Sequence, residues 1–133
     1  MIVDSSALVA ILTGEDGWQA FRDTILSATG ECALSAAGYL ETAIVTDARG
    51  RDGKLADTLD DFIESANITI APVTEVQARI AREAYRTFGK GSGHAAQLNF
   101  GDCFAYALAK EKDEVLLFKG NDFSQTDLTP ALA

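Results

Sequence analysis

The run Cys103-Phe104-Ala105-Tyr106-Ala107-Leu108-Ala109 carries no charge and no strong helix breaker. It predicts a helix that is apolar on nearly every side, and such a helix belongs inside a domain. Asp102 stands in its first turn, on the same stripe as Tyr106 and Ala109. An unpaired carboxylate entering a core is costly, and the partial positive charge of a helix N-terminus offsets only part of that cost. The chain must therefore bring further positive charge to Asp102 from outside this helix.

The surrounding pattern alternates short apolar runs with amphipathic ones. Ile2-Val3 reads as a buried strand ending at Asp4, and Ser5 or Ser6 offers an N-cap for the helix through Leu12, which Gly14 ends. A second helix is expected from about Asp16 to Gly30. Cys32–Ser35 reads as a strand, followed by a helix from Ala36 to Ala48 and a turn over Gly50–Gly53. Leu55, Leu59, Phe62, Ile63 and Ala66 mark the apolar stripe of the next helix, opposite Asp57, Asp60, Asp61 and Glu64. Ile68–Val73 reads as a strand whose regular pairing stops at Pro72. Thr74 and Gln77 form a capping box for a helix reaching Phe88, and Gly89–Gly93 reads as a flexible loop. Val115–Phe118 is the last strand. This order predicts an α/β fold, a three-layer sandwich with a central, mostly parallel sheet and helices on both sides. One domain over residues 1–133 fits the length.

Charge and cysteine usage narrow the function. A net charge of -9 argues against nonspecific DNA binding through a basic surface, yet leaves room for an enzyme that meets nucleic acid through a local basic strip and bound cations. No apolar run approaches the ~18 residues of a membrane span, and Met1 leads into Ile2-Val3-Asp4 without a signal-peptide pattern. Cys32 and Cys103 lack metal-type spacing; reduced thiols in a cytoplasmic protein are the expectation.

Four acids then stand out. In an open parallel sheet, ligands bind beyond the carboxyl ends of the strands. Asp4 follows the first strand, Asp122 follows the last, and Asp102 opens a helix whose N-terminus points to that edge. Glu41 lies inside a helix, on a stripe with Ala37, Ile44 or Val45, and Ala48, and is expected to point inward. At ~5 Å and an effective dielectric near 20, each pair of such carboxylates repels by about 3 kcal/mol. Oxygen ligands without nearby histidine or cysteine suit Mg²⁺ or Mn²⁺. A hydrated divalent ion beside spare carboxylates can hydrolyse a phosphodiester. Each acid also has a local reading: Asp4 as a cap, Asp102 as a dipole partner, Asp122 as a turn residue, Glu41 as a partner of Arg49.

Ile-Val-Asp-Ser-Ser-Ala-Leu at the start, Tyr-Leu-Glu-Thr-Ala around Glu41, Asn-Phe-Gly-Asp-Cys-Phe-Ala-Tyr-Ala-Leu-Ala around Asp102, and Leu-Leu-Phe-Lys-Gly-Asn-Asp-Phe near the end together resemble the PIN-domain ribonucleases. More narrowly they resemble the VapC toxins of type II toxin–antitoxin modules. The resemblance spans essentially the whole chain. It implies a Mg²⁺- or Mn²⁺-dependent endoribonuclease, usually dimeric and held inactive by a VapB-like antitoxin. Asp4, Glu41 and Asp102 match the family's first three acids, and Ser6 its small hydroxyl residue, expected to orient water or a carboxylate. Many PIN domains carry Thr-x-Asp after the last strand, whereas this chain has Lys119-Gly120-Asn121-Asp122, so Asp122 sits in a different register.

Arg79, Arg82 and Arg86 share one face of the 74–88 helix, with Lys90 beyond it and Val76, Ile80 and Ala84 facing the other way. They are either a solvated face or a strip that tracks RNA phosphates; Arg49, Arg51 and Lys54 form a weaker candidate. Gly89–Gly93 lacks the Gly-Lys-Ser/Thr of a phosphate loop. His94 reads as a loop residue. Trp18, Phe21 and Leu12 read as packing, with room for an antitoxin helix on the first two helices. Two rival readings remain: a PIN fold that binds RNA or antitoxin without turnover, and a receiver-like signalling domain, for which Lys119 is suggestive but the single Asp4 is not.

Overall fold

The computed structural model describes residues 1–50 and 53–132. Four strands, β1 (Ile2–Val3), β2 (Cys32–Ser35), β3 (Ile68–Ala71) and β4 (Leu116–Leu117), pair in parallel in the order β3-β2-β1-β4. Ile2 registers with Ala33 on one side and with Leu116 on the other. Successive strand residues face opposite sides of a sheet, and the two cores divide accordingly. Ile2, Ala33 and Leu116 enter one core, and Val3, Cys32, Leu34 and Leu117 enter the other. This is the expected α/β sandwich.

The first core is closed by α5 (Glu75–Phe88) and α6 (Asp102–Lys112). Every residue of α6 from Ala105 to Ala109 is buried, as is Cys103, so this helix is apolar all round as its sequence requires. The second core packs against α1 (Ser5–Thr13), α2 (Trp18–Leu26) and α4 (Lys54–Ser65). The helix after β2, α3 (Ala36–Arg49), packs beside α1 and α4. Among the described residues, no helix is long and apolar enough to cross a membrane.

Element ends move by a few residues. Pairing stops at Ala71, directly before Pro72 as expected, so β3 is shorter than Ile68–Val73, and β4 is shorter than Val115–Phe118. The second helix ends at Leu26. The N-cap of α1 is Asp4, not Ser5 or Ser6, because its carboxylate accepts from the Ser6 N–H; Gly14 then closes that helix in the left-handed conformation. Gly89–Gly93 is less free than its glycines suggest. The Lys90 N–H donates to Leu98 O at 2.7 Å and the Leu98 N–H to Phe88 O at 2.9 Å, which pins the base of the loop.

The face of α3 differs more seriously. The stripe of Glu41 does not turn inward: Glu41 and Ala48 are exposed, and Ile44 is 60% exposed. The helix instead buries Thr42 and Thr46, both at 0%. Their hydroxyls donate to the Gly38 and Thr42 carbonyls one turn back, which makes them acceptable core residues. On α5, Val76 is 56% exposed, and Gln77 of the capping box is buried in its place.

Candidate active site

The strand order reverses at β1. From β1 the chain steps outward through β2 to β3, then returns to place β4 on the other side. That creates a switch point between β1 and β4, where α/β folds accept ligands. Asp4 and Asp122 follow these two strands. The Asp4 N–H donates to Leu117 O at 2.9 Å, and Ser6 Oγ accepts from the Lys119 N–H at 3.0 Å, so the two strand ends are stitched together.

Asp4 is buried, at 5% exposure. Its Oδ2 accepts from the Ser6 N–H at 3.0 Å and from the Ser6 hydroxyl at 2.5 Å. Both Ser6 bonds converge on one oxygen and leave Oδ1 outside them, and the Ser5 N–H adds a weaker backbone interaction with the carboxylate. Asp102 is organised in the same manner. Its Oδ2 accepts from the Asn99 N–H at 2.9 Å, while its own N–H donates to Asn99 Oδ1 at 2.9 Å. This reciprocal pair is a capping box built from Asn and Asp, and it leaves Oδ1 uncommitted. Glu41 arrives from α3: its Oε1 accepts from the Ser5 hydroxyl, and its Oε2 lies against Gly101, the residue before α6. Asp122 is exposed and makes no side-chain cap for the short 3₁₀ turn Phe123–Gln125 that it precedes. Asp122 is thus a turn residue, as its local reading has it, with a side chain that caps nothing.

The charges of these groups act on one another. Burial pushes the Asp102 carboxyl up to about 6; the Asn99 N–H pulls it down, and the charges of Asp4, Asp122 and Glu41 push it up further. Asp4 is raised as well, first by burial and then, against the Ser6 hydrogen bonds, by Glu41. No cationic side chain figures among the influences on either. Asp102 does not find the positive charge its position demands within the described residues.

An oxygen-only donor set with two carboxylate oxygens outside those bonds suits a hard, hydrated divalent cation. Among the described residues no three His, Cys, Asp or Glu side chains are gathered as a finished cage. Mg²⁺ asks for less, because it keeps several waters and takes one or two carboxylates. Asp4 and Asp102 fit that role.

A PIN-domain profile matches residues 1–128. Ribonuclease VapC28 of Mycobacterium tuberculosis is 53% identical over 132 residues, which is 99% of this chain and 98% of the relative. This chain belongs to the VapC ribonucleases of the PIN-domain family. Ribonuclease VapC30 of the same organism is 46% identical over 129 residues, covering 96% of this chain and 95% of its own. Among solved structures, that of M. tuberculosis VapC20, described as a toxin that cleaves the sarcin–ricin loop, aligns with a TM-score of 0.74 at 18% identity, over 96% of this chain and 95% of that one. A toxin–antitoxin complex from Klebsiella pneumoniae aligns with a TM-score of 0.67 at 14% identity, over 92% and 89%. These two likenesses establish the fold.

In this PIN domain the basic candidates separate. Arg79 pairs with Glu75 at 3.1 Å and Arg86 with Glu83 at 3.0 Å, all on exposed side chains. Arg82 makes no ion pair among the described residues and lines an apolar groove with Ala78, Ala81, Tyr85, Phe100 and Phe104. Lys90 keeps its exposed place beyond α5. Arg51 lies outside the described residues, and Arg49 stands 4.0 Å from Glu15 rather than beside Glu41. Lys119 also turns to Glu15, at 2.6 Å, away from the acids, which removes the one feature that favoured a receiver-like site. His94 is a loop residue as expected, its Nδ1 accepting from the Ala96 N–H at 3.0 Å and its ring edge-on to Phe88.

Sequence reasoning missed Ser5 and Asn99. Ser5 reads as a cap, and nothing local points to a partner 36 residues away. Asn99 was legible, since Asn99-x-x-Asp102 has capping-box spacing.

Proposed function

We propose that this PIN domain, acting as a single domain over 1–133, is a Mg²⁺- or Mn²⁺-dependent endoribonuclease. It would serve as the toxin of a type II toxin–antitoxin module and be restrained by a VapB-like antitoxin. The observation that carries the metal dependence is Asp102: a part-buried carboxyl pushed to about 6 beside three other acids, with no side-chain cation acting on it among the described residues. Membership of the VapC ribonucleases supports RNA as substrate.

Asp4 and Asp102 would hold the cation through the oxygens that Ser6 and Asn99 leave uncommitted. When bound, it supplies Lewis acidity toward the phosphoryl oxygen and makes a neighbouring water more acidic. Ser6 fixes the rotamer of Asp4 and holds the strand ends in register. Glu41, kept at the α6 N-terminus by Ser5, would orient the attacking water. Asp122 stands at the open rim, where its charge adds to the field that favours a cation.

The antitoxin would dock by its own helix. Phe21, Phe118, Pro130 and Leu132 line a groove of about 390 Å³ on the α2 side, which supports an amphipathic partner. A homodimer is part of the same reading, and sedimentation at micromolar concentration tests it. The decisive experiment measures cleavage of structured RNAs with and without Mg²⁺, alongside Asp4→Asn and Asp102→Asn. Each variant should lose at least ~100-fold, corresponding to about 2.7 kcal/mol of barrier. Metal-independent cleavage, or variants as active as the parent, would refute the metal-dependent reading, and RNA binding without turnover by the parent would refute the nuclease reading altogether.

A further inference from the structure

Gly101 sits at φ -63°, ψ -39°, an ordinary right-handed helical conformation. Any residue adopts it, and glycine there costs stability relative to alanine. The backbone therefore gives no reason for a glycine. Space does. A Cβ built on Gly101 would collide with Glu41 Oε2, and would approach Glu41 Cδ to 3.1 Å and Asn99 Oδ1 to 3.4 Å. The contrast with Gly14, Gly17 and Gly53 is sharp. Each of those has a positive φ that calls for glycine, and nothing within 4 Å of an added Cβ.

Glu41 needs such a berth because its own helix does not confine it. It belongs to the exposed face of α3, and its carboxylate is held on one side by the Ser5 hydroxyl. On the other side it fits into the volume a side chain at 101 would fill. The same corner carries the Asn99–Asp102 box, so the berth delivers a carboxylate from α3 to the carboxylate that opens α6.

We infer that Gly101 is a positioning residue: its missing side chain is the seat of the Glu41 carboxylate beside Asp102, and filling that seat disables the site without harming the fold. This rests on the assignment of Glu41 and Asp102 to divalent-dependent RNA cleavage. The clash falls on the far end of a flexible side chain, so Gly101→Ala has an inexpensive escape. Glu41 swings to solvent, leaving Ser5, while the helical backbone gains from alanine.

The test uses the full chain as parent, Gly101→Ala, Glu41→Ala and the double variant. Three measurements are made: Mn²⁺ binding without RNA by electron paramagnetic resonance, the thermal midpoint in EDTA, and Mg²⁺-dependent RNA cleavage. Gly101→Ala is expected to melt within about 3 °C of the parent or above it, to bind Mn²⁺ at least fivefold more weakly, and to cleave at least tenfold more slowly. In the Glu41→Ala background, adding Gly101→Ala should change binding and cleavage by less than twofold, because the group it displaces is already gone. Parent-like binding and cleavage by Gly101→Ala would overturn the inference. So would a penalty of equal size in both backgrounds, or a large loss of stability that persists in the double variant, since the glycine would then be structural. A parent that neither binds Mn²⁺ nor cleaves RNA is a different failure: it defeats the nuclease assignment itself, and this inference with it.

Discussion

Replacing Asp102 by asparagine should make the metal-free protein more stable while silencing it. The carboxyl lies at about 6 in the fold against an ordinary 3.8. Because the folded-state value is the higher one, the ionised form is disfavoured in the native state. The penalty is absent below about pH 3.8 and is fully present once the pH has risen through 6. At about 1.4 kcal/mol per tenfold change in acidity, this sets a ceiling of about 3 kcal/mol. Asp102 is only part-buried, and solvent screening reduces the figure to roughly 1–2 kcal/mol. The substituted amide would keep an oxygen for the Asn99 N–H but lose the interaction of a negative charge with the helix N-terminus, about 0.5 kcal/mol. The balance is a gain of about 1 kcal/mol at pH 7.5, or about 4 °C for a chain of this size. Thermal unfolding followed by circular dichroism in EDTA at pH 4.5, 6 and 7.5 measures it. The gap between variant and parent should widen as the pH rises. If Asp102→Asn melts below the parent at pH 7.5, or by a margin that ignores pH, then burial and repulsion within the acid cluster do not raise the Asp102 carboxyl.

Two further outcomes concern other parts of the molecule. If the α5 face tracks RNA phosphates, Arg82→Ala should weaken RNA binding more than Arg79→Ala or Arg86→Ala, whose guanidinium groups are already paired with glutamates. Its loss should also lower the slope of log affinity against log salt by about 0.7, and equal effects of the three would refute the distinction. In the first core, the buried Tyr106 donates to Asp127 at 2.7 Å, and Lys110 pairs with the same carboxylate at 2.9 Å. Burial pushes Asp127 up, but these two hydrogen bonds outweigh it and leave its carboxyl below the usual range. Tyr106→Phe should therefore cost about 1–2 kcal/mol in urea unfolding at pH 7. That difference should shrink as the pH falls through the carboxylate range, where protonated Asp127 no longer rewards the bond.

The layered order of elements was legible because its signals are local and redundant. Ile2-Val3, Cys32–Ser35 and Leu116-Leu117 are buried on both faces, as strands covered by helices on either side must be. The uncharged run of α6 could be placed only in a core. The acids at the strand ends followed from topology alone. The inward face of α3 was not legible by hydrophobicity, because Thr42 and Thr46 satisfy their hydroxyls within the helix and pack as β-branched residues. Leu40 and Ile44 meanwhile lie outside at 58% and 60% exposure. The periodicity was helical in either case, but the face it chose was the wrong one. The pairing of Arg79 and Arg86 was available in the sequence, since Glu75 and Glu83 stand four and three residues before them. The link from Ser5 to Glu41 had no sequence signal, because it depends on how α3 lies across α1.

For these acids the structural and chemical readings need not compete. Each carboxylate has two oxygens and divides them. Asp4 gives Oδ2 to the cap of α1, Asp102 gives Oδ2 to its capping box, and Glu41 gives Oε1 to Ser5. Hydrogen bonds to charged groups contribute roughly 1.5–3 kcal/mol each, comparable with the ~3 kcal/mol by which a close carboxylate pair repels at intermediate dielectric. Local bonds can therefore hold the cluster together without a cation, and each leaves the second oxygen of its carboxylate outside the bond. This separates the fold from a zinc-finger type of design, in which removing the metal removes the folded state. EDTA should lower the thermal midpoint but leave the chain folded, with a single cooperative thermal transition and an unchanged far-ultraviolet spectrum. Adding Mg²⁺ at 100 times its dissociation constant should return about 2.7 kcal/mol, and Asp102→Asn should gain far less. Cooperative unfolding on chelation would mean that the cation, rather than Ser5, Ser6 and Asn99, holds these carboxylates in place.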